Sequence, residues 1–262
     1  MKVGAAGKKV PIWGVDFQLK RHIVCNIFIH PKEAAQHYIS HAEPQRRQRF
    51  ASRARQSSAE GDDPQRKETT LTHHNIWQGE RVRLRAIEPE DWPVFDEWNQ
   101  DSDVARDCYW VPFPKSREAT KKWVNDLALE LPKNDAINMV IENLAGEFVG
   151  NINSHSCDPR SGTFKYGLAI RREHWRKGYA AEAIRLVLRY FFQELRYQKV
   201  TVEIYAFNVA SINLHEKLGF VHEGHMRRMY FTNGQYHDSC ILGMTCEEFG
   251  EHEQSQFGSE RP

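Results

Sequence analysis

The sequence predicts one α+β domain of about 180 residues following a polar, basic extension. Three observations carry that prediction. Runs such as Val82-Arg83-Leu84-Arg85-Ala86 alternate apolar and polar residues, as half-buried strands do. Ile184, Leu188, Phe191 and Leu195 recur at helical spacing, with Arg185, Arg189 and Arg196 on the wet side. The elements follow the order strand, two helices, a three-strand meander, then helix, strand, helix and a final strand pair, with no internal repeat.

Residues 1–70 hold 13 Lys+Arg against 7 Asp+Glu, and the stretch from Gln45 to Thr70 is polar and weakly periodic. Such a composition buries too little apolar area to offset chain entropy, so it reads as disordered. A solvated tail is favoured over an RNA-gripping arm. An alternative is that the natural start is Leu71, a residue a TTG start codon can encode.

From Trp77 onward the local signals agree. After the Val82–Ala86 strand, Glu88-Pro89-Glu90-Asp91 opens a short helix carrying Trp92, Phe95 and Trp98. Ser116 caps a second helix running to about Leu131, before Pro132. Strands Ile137–Asn143 and Glu147–Ser156 flank a tight Ala145-Gly146 turn, and a third strand spans Thr163–Ile170. A helix over Ala180–Leu195 precedes the strand Val200–Tyr205. A short helix from about Ala210 to Leu218 stops at Gly219, which suits a left-handed cap. A hairpin turning at Asn233-Gly234 closes the domain near residue 250, leaving 251–262 as a flexible tail.

Composition excludes several classes. A net charge of +1, from 36 Lys+Arg and 35 Asp+Glu, supplies no general attraction to nucleic acid or anionic membrane. No stretch approaches the roughly 18 consecutive apolar residues of a membrane span. Cys25, Cys108, Cys157, Cys240 and Cys246 are scattered without a C-x-x-C pair, which fits a reducing compartment and neither a disulfide framework nor a zinc site. The start MKVGAAGKKV lacks the apolar core of a secretory signal, so a cytoplasmic location is expected.

Two segments carry chemistry. After the strand ending at Ile170 comes Trp175-Arg176-Lys177-Gly178-Tyr179-Ala180-Ala181-Glu182, a small-residue turn opening a long helix. The first N–H groups of a helix lack internal partners and sit at the positive pole of its dipole. With Gly178 and Ala180 letting backbone approach and Arg176 and Lys177 adding charge, the segment suits a pyrophosphate. An ordinary helix start is the equally weighted alternative on spacing alone; neither a Walker loop nor G-x-G-x-x-G is present. The second segment, Asn208 to Phe220, places Ser211 and His215 on one helix face, as proton donors to a leaving group or as a cap and a surface imidazole.

Together, Trp-Arg-Lys-Gly-Tyr-Ala-Ala-Glu-Ala and Asn-x-x-Ser-x-x-Leu-His-Glu-Lys-Leu-Gly-Phe resemble the two motifs of the GNAT superfamily of N-acetyltransferases. The resemblance is nearest the RimJ/RimL-like branch and covers about Trp77 to Glu248. It implies a central mixed, mostly antiparallel sheet with flanking helices, and an acetyl-CoA cleft between the splayed strands Thr163–Ile170 and Val200–Tyr205. It implies pantetheine on the backbone of Leu168, Ala169 and Ile170, and pyrophosphate on Arg176, Lys177, Gly178, Tyr179, Ala180 and Ala181. Asn208 matches a residue that binds the cofactor arm. The reaction it implies is direct attack of a neutral amine on the thioester, with acetyl-CoA as co-substrate, no acyl-enzyme and no metal.

The chain departs from the family pattern in two places. Trp175 and Arg176 replace residues common in the pyrophosphate loop, a change that contacts made by backbone amides tolerate. Lys165 stands where many relatives carry a Glu base, which leaves Glu203, His155 or a water chain to deprotonate the amine. His215 holds the position of a Tyr that protonates the departing thiolate in many relatives, with a pKa expected nearer neutrality; Ser211 is the alternative donor. The expected acceptor is first a protein amino terminus, then a polyamine or other small amine, with Lys165 weighing against a polycation. The loop Asp107–Lys115 either lines the acceptor pocket or covers the core. The branch implies a monomer or homodimer. The alternative function is a catalytically degenerate acyl-CoA-binding regulator.

Overall fold

The structure, a computed structural model, describes residues 75–108 and 111–257. The expectations for residues 1–70, and those for Tyr109 and Trp110, lie outside the described residues.

Seven strands form one sheet: β1 (Val82–Ala86), β2 (Asn138–Asn143), β3 (Phe148–Asp158), β4 (Thr163–Ile170), β5 (Lys199–Tyr205), β6 (Val221–Thr232) and β7 (Gln235–Thr245). Their spatial order is β1-β2-β3-β4-β5-β7-β6. Only β4 and β5 are parallel; every other neighbouring pair is antiparallel. The helices are α1 (Trp92–Gln100), α2 (Ser102–Cys108), α3 (Arg117–Ala128), α4 (Tyr179–Arg189), α5 (Val209–Lys217) and α6 (Cys246–Phe257).

The sheet separates two apolar clusters. Val140 and Ile141 are adjacent on β2 yet belong to different clusters, as alternation along a strand requires. On one face Ile184 and Leu188 of α4, with Phe191 just beyond it, pack with Phe164, Val200 and Leu242. On the other, Phe95 and Trp98 of α1 meet Trp123 and Val124 of α3 over Val140 and Phe148. Phe95 contacts Trp98, Trp123 and Phe148 edge-on, with centroids 5.3–5.9 Å apart.

Most expected elements fall where the sequence places them, and the exceptions have local causes. α3 begins at its Ser116 cap, whose hydroxyl accepts from the Ala119 N–H at 3.1 Å, but ends at Ala128 rather than Leu131. Beyond it Leu129 and Leu131 are 82% and 81% exposed, so no buried face extends the helix. The helix expected over Ala180–Leu195 divides: α4 ends at Arg189 and a π turn spans Tyr190–Glu194. The extra residue in that turn, closed by Leu195 N–H to Tyr190 C=O at 3.2 Å, lets the adjacent Phe191 and Phe192 both be buried.

Two helices were not expected. α2 starts where the Asp101 carboxylate accepts the N–H groups of Asp103 and Val104 at 2.9 and 3.1 Å. α6 corrects the expectation of a flexible tail from residue 251, because its helix continues to Phe257. A Thr245–Glu248 capping box opens it, each side chain bonding the other residue's N–H, and Phe249 is buried against Phe192. Farther along α6, Glu253 pairs with Arg189 at 3.0 Å and Arg185 at 3.6 Å.

Candidate active site

The site is built where β4 and β5 part. The two strands pair only at Thr163–Lys199, Phe164–Val200 and Lys165–Thr201. Beyond Lys165, β4 continues on β3 alone, and beyond Thr201, β5 continues on β7 alone. The parallel pair therefore opens into a V, with Tyr166–Ile170 on one arm and Val202–Tyr205 on the other. Main-chain groups of Leu168 and Ala169 on an arm without a second strand partner suit the amides of a pantetheine chain. At Ile170 the carbonyl is already engaged, accepting from the Trp175 indole N–H at 2.8 Å. Trp175, a departure from the family pattern, thus tethers the following loop to the end of β4.

That loop leads into α4 through two left-handed residues, Arg176 (φ 62°) and Gly178 (φ 83°). Gly178 is the N-cap and has no side chain to cap the helix. The N–H groups of Tyr179, Ala180 and Ala181 precede the first intrahelical bond, from Glu182 N–H to Gly178 C=O at 3.2 Å. Arg176 and Lys177 are exposed beside them. The loop therefore fits a pyrophosphate with its Trp175 and Arg176 replacements in place. Asn208 is itself the N-cap of α5, its side-chain oxygen accepting the Ser211 N–H at 3.0 Å.

At the crotch of the V, Lys165 and Glu203 face each other across the strands, Nζ to Oε2 at 4.0 Å. Glu203 is almost enclosed, its side chain 6% exposed. Its Oε1 accepts from the Tyr230 hydroxyl at 2.6 Å and the Ser239 hydroxyl at 3.3 Å. The Glu203 carboxylate thus lies across from the Lys165 ammonium and offsets part of its charge. His155 lies opposite Lys165 on β3, and burial together with that ammonium pushes its pKa down to about 4.

His215 corrects its expectation. It is buried, not a surface residue, and burial pushes its pKa down to about 4 rather than toward neutrality. Nδ1 lies 2.7 Å from the Ser211 carbonyl oxygen, which only accepts, so Nδ1 carries the proton. Nε2 is then a bare lone pair, buried and without a hydrogen-bond partner among the described residues. The ring stacks on Tyr166 with centroids 5.8 Å apart, and the Tyr166 hydroxyl is likewise buried and unpartnered. A neutral imidazole held this way has no N–H to give a thiolate. Ser211, on the same face, keeps its hydroxyl 3.5 Å from His215 Nδ1.

His155 and His215 also contribute to how the fold responds to acid. Each has a folded pKa below the unfolded value of about 6.5, so the unfolded chain binds more protons between the two values. The contribution of each histidine to stability is then fully present above about pH 6.5, falls as pH drops, and is lost by about pH 4, about 3 kcal/mol apiece. Urea melts at a series of pH values check this. His215→Gln is expected to flatten the slope.

Two further histidines pair with carboxylates. His222 Nε2 lies 2.8 Å from Glu216 Oε1, and His225 Nε2 lies 3.0 Å from Asp238 Oδ2. Among the described residues no group of three His, Cys, Asp or Glu is placed to hold a metal. No described helix is long and apolar enough to cross a membrane. In the Asp107–Lys115 loop, Phe113 is 93% exposed, so it does not cover the core. Tyr230 and Ser239, which hold Glu203, carry no sequence signal because only sheet register brings β7 beside β5 and β6 beside β7.

Comparisons with known proteins show the family and the fold. A family profile described as Acetyltransferase (GNAT) domain matches residues 81–221. The SPbeta prophage-derived uncharacterized N-acetyltransferase YokL of Bacillus subtilis (strain 168) is 43% identical over 173 residues, 66% of this chain and 94% of that protein. The spermidine N(1)-acetyltransferase of Vibrio cholerae serotype O1 is 26% identical over 163 residues, 60% of this chain and 89% of that one. The crystal structure of spermidine N-acetyltransferase from Vibrio cholerae in complex with CoA and spermine shares the fold, with a TM-score of 0.56 at 24% identity. That match covers 64% of this chain and 97% of the other.

Proposed function

Because the chain belongs to the GNAT family of acetyl-CoA-dependent N-acetyltransferases, we propose that it acetylates the primary amine of a small molecule, with Glu203 as the base. The observation that carries this reading is the nearly enclosed Glu203 carboxylate at the point where β4 and β5 part. The amine loses a proton to Glu203, its nitrogen attacks the thioester carbonyl carbon, and the carbon–sulfur bond breaks with its electron pair on sulfur. No cysteine takes part.

Leu168 and Ala169 offer main-chain groups to the pantetheine, and Arg176, Lys177, Gly178, Tyr179, Ala180 and Ala181 form the phosphate end. Ser211 is the hydroxyl donor to the departing thiolate, and the positive end of α5 supports that charge. His215 is a positioning residue, holding the Ser211 carbonyl and the packing against Tyr166. Ser211→Ala is expected to lower kcat tenfold or more, the low side of the roughly 10²–10⁴ of general acid–base groups. With His215 neutral, kcat carries no limb from it between about pH 6 and 8. A limb there that His215→Gln abolishes would return the donor role to His215.

Neutralisation of Lys165 by Glu203 removes the objection to a polyamine, and spermidine-acetylating relatives support a small amine over the protein amino terminus expected first. Thiol release from acetyl-CoA by the full chain, measured with spermidine, simple monoamines and a free-amino-terminus peptide, tests the choice. Turnover on the small amines is expected. Turnover on the peptide alone would overturn it.

A further inference from the structure

The segment leading into β1 crosses the mouth of α4. The Glu182 carboxylate, in the first turn of that helix, accepts the backbone N–H groups of Glu80, Arg81 and Val82 at 2.6, 2.8 and 2.9 Å. Bonds to an ionised acceptor are stronger than neutral ones, so three on one carboxylate pin this stretch of chain. Gly79 makes the approach possible, since a Cβ there would collide with the Glu182 carboxylate.

The clamp delivers one side chain to the phosphate end of the site. The Arg81 guanidinium lies against Gly178, so closely that a Cβ on Gly178 would collide with Arg81 Nη1. Arg81 is exposed, and its side chain has no carboxylate partner among the described residues. A cation at the amino-terminal pole of a helix has the wrong sign for the dipole and is disfavoured there by a few tenths of a kcal/mol or more. Arg176 and Lys177 crowd the same pole with like charge. The Glu182 carboxylate has both oxygens committed to backbone N–H groups. An anion at the mouth of α4 completes this arrangement.

We infer that Arg81 is a phosphate ligand for acetyl-CoA, contributed from outside the two sequence motifs; the inference rests on the acetyl-CoA reading above. A guanidinium presents a planar fork of donors that matches phosphate oxygens in pairs, and the Glu182 clamp holds its backbone in place before the ligand arrives. The lead-in to β1 thereby becomes part of the cofactor site.

The test is steady-state kinetics of the full chain and its Arg81→Gln variant with three acetyl donors. These are acetyl-CoA, acetyl-dephospho-CoA, which lacks the 3′-phosphate, and acetyl-pantetheine, which lacks every phosphate. The variant is expected to raise KM for acetyl-CoA about tenfold with kcat nearly unchanged, and to leave KM for acetyl-pantetheine unchanged. A penalty kept with the dephospho donor assigns Arg81 to the pyrophosphate, and one lost there assigns it to the 3′-phosphate; either supports the inference. An equal penalty on acetyl-pantetheine would show a structural role and overturn it. So would normal acetyl-CoA kinetics in the variant. Failure of the unmodified chain to bind acetyl-CoA would remove the cofactor reading itself, an outcome plainly different from a variant that behaves like its parent.

Discussion

Glu203→Gln is expected to lower kcat by about 10²-fold or more while acetyl-CoA affinity stays unchanged. The substitution keeps the shape of the side chain, and its amide oxygen can still accept from the Tyr230 and Ser239 hydroxyls that hold the carboxylate. What it removes is a group able to take a proton. The pantetheine and phosphate contacts assigned to β4 and α4 do not include this residue, so the loss belongs to the chemical step. Raising pH should partly restore the variant, because more of the amine then arrives already neutral. A variant with full kcat near neutral pH would assign deprotonation to solvent.

Phe164→Ala is expected to cost about 3–5 kcal/mol of stability. Phe164 is 1% exposed and stacks on Phe191 with centroids 4.0 Å apart, with Phe192 and Tyr197 edge-on to it. It also pairs with Val200 inside the short parallel ladder from which β4 and β5 diverge. Removing the ring leaves a cavity beneath the crotch of the site. The melting temperature should fall by roughly 10 °C for a domain of this size. Phe113→Ala, a change of the same chemistry at an exposed position, should leave it unchanged.

Local chemistry made much of this molecule legible before its structure. The β4 strand and the Ser116 cap depend on neighbours a few residues away. The Asn233-Gly234 turn does too, both residues adopting positive φ. α6 was equally local, since Thr245 and Glu248 spell a capping box, but the charged run after it hides the single buried Phe249. α2 carried its signal in Asp101, obscured by the polar residues that follow.

The site divides along the same line. The segment proposed to hold phosphate is continuous, so spacing and helix physics mark it in the sequence. The proposed base is assembled by pairing: Glu203 faces Lys165 where β4 and β5 part and is held by hydroxyls from β6 and β7, which lie far along the chain. The protonation state of His215 depends on enclosure by Tyr166 and Phe220, and no spacing rule conveys burial. Arg81 was invisible for a related reason. It precedes an ordinary strand, and only the Glu182 clamp brings it to Gly178.

The most direct test of the account mixes the full chain with acetyl-CoA and spermidine in a single turnover and follows the acetyl group by mass spectrometry. The account predicts acetylated spermidine and free CoA forming together, with the protein unmodified throughout. An acetylated protein formed ahead of product, or acetyl-CoA bound and left intact beside the amine, would contradict it.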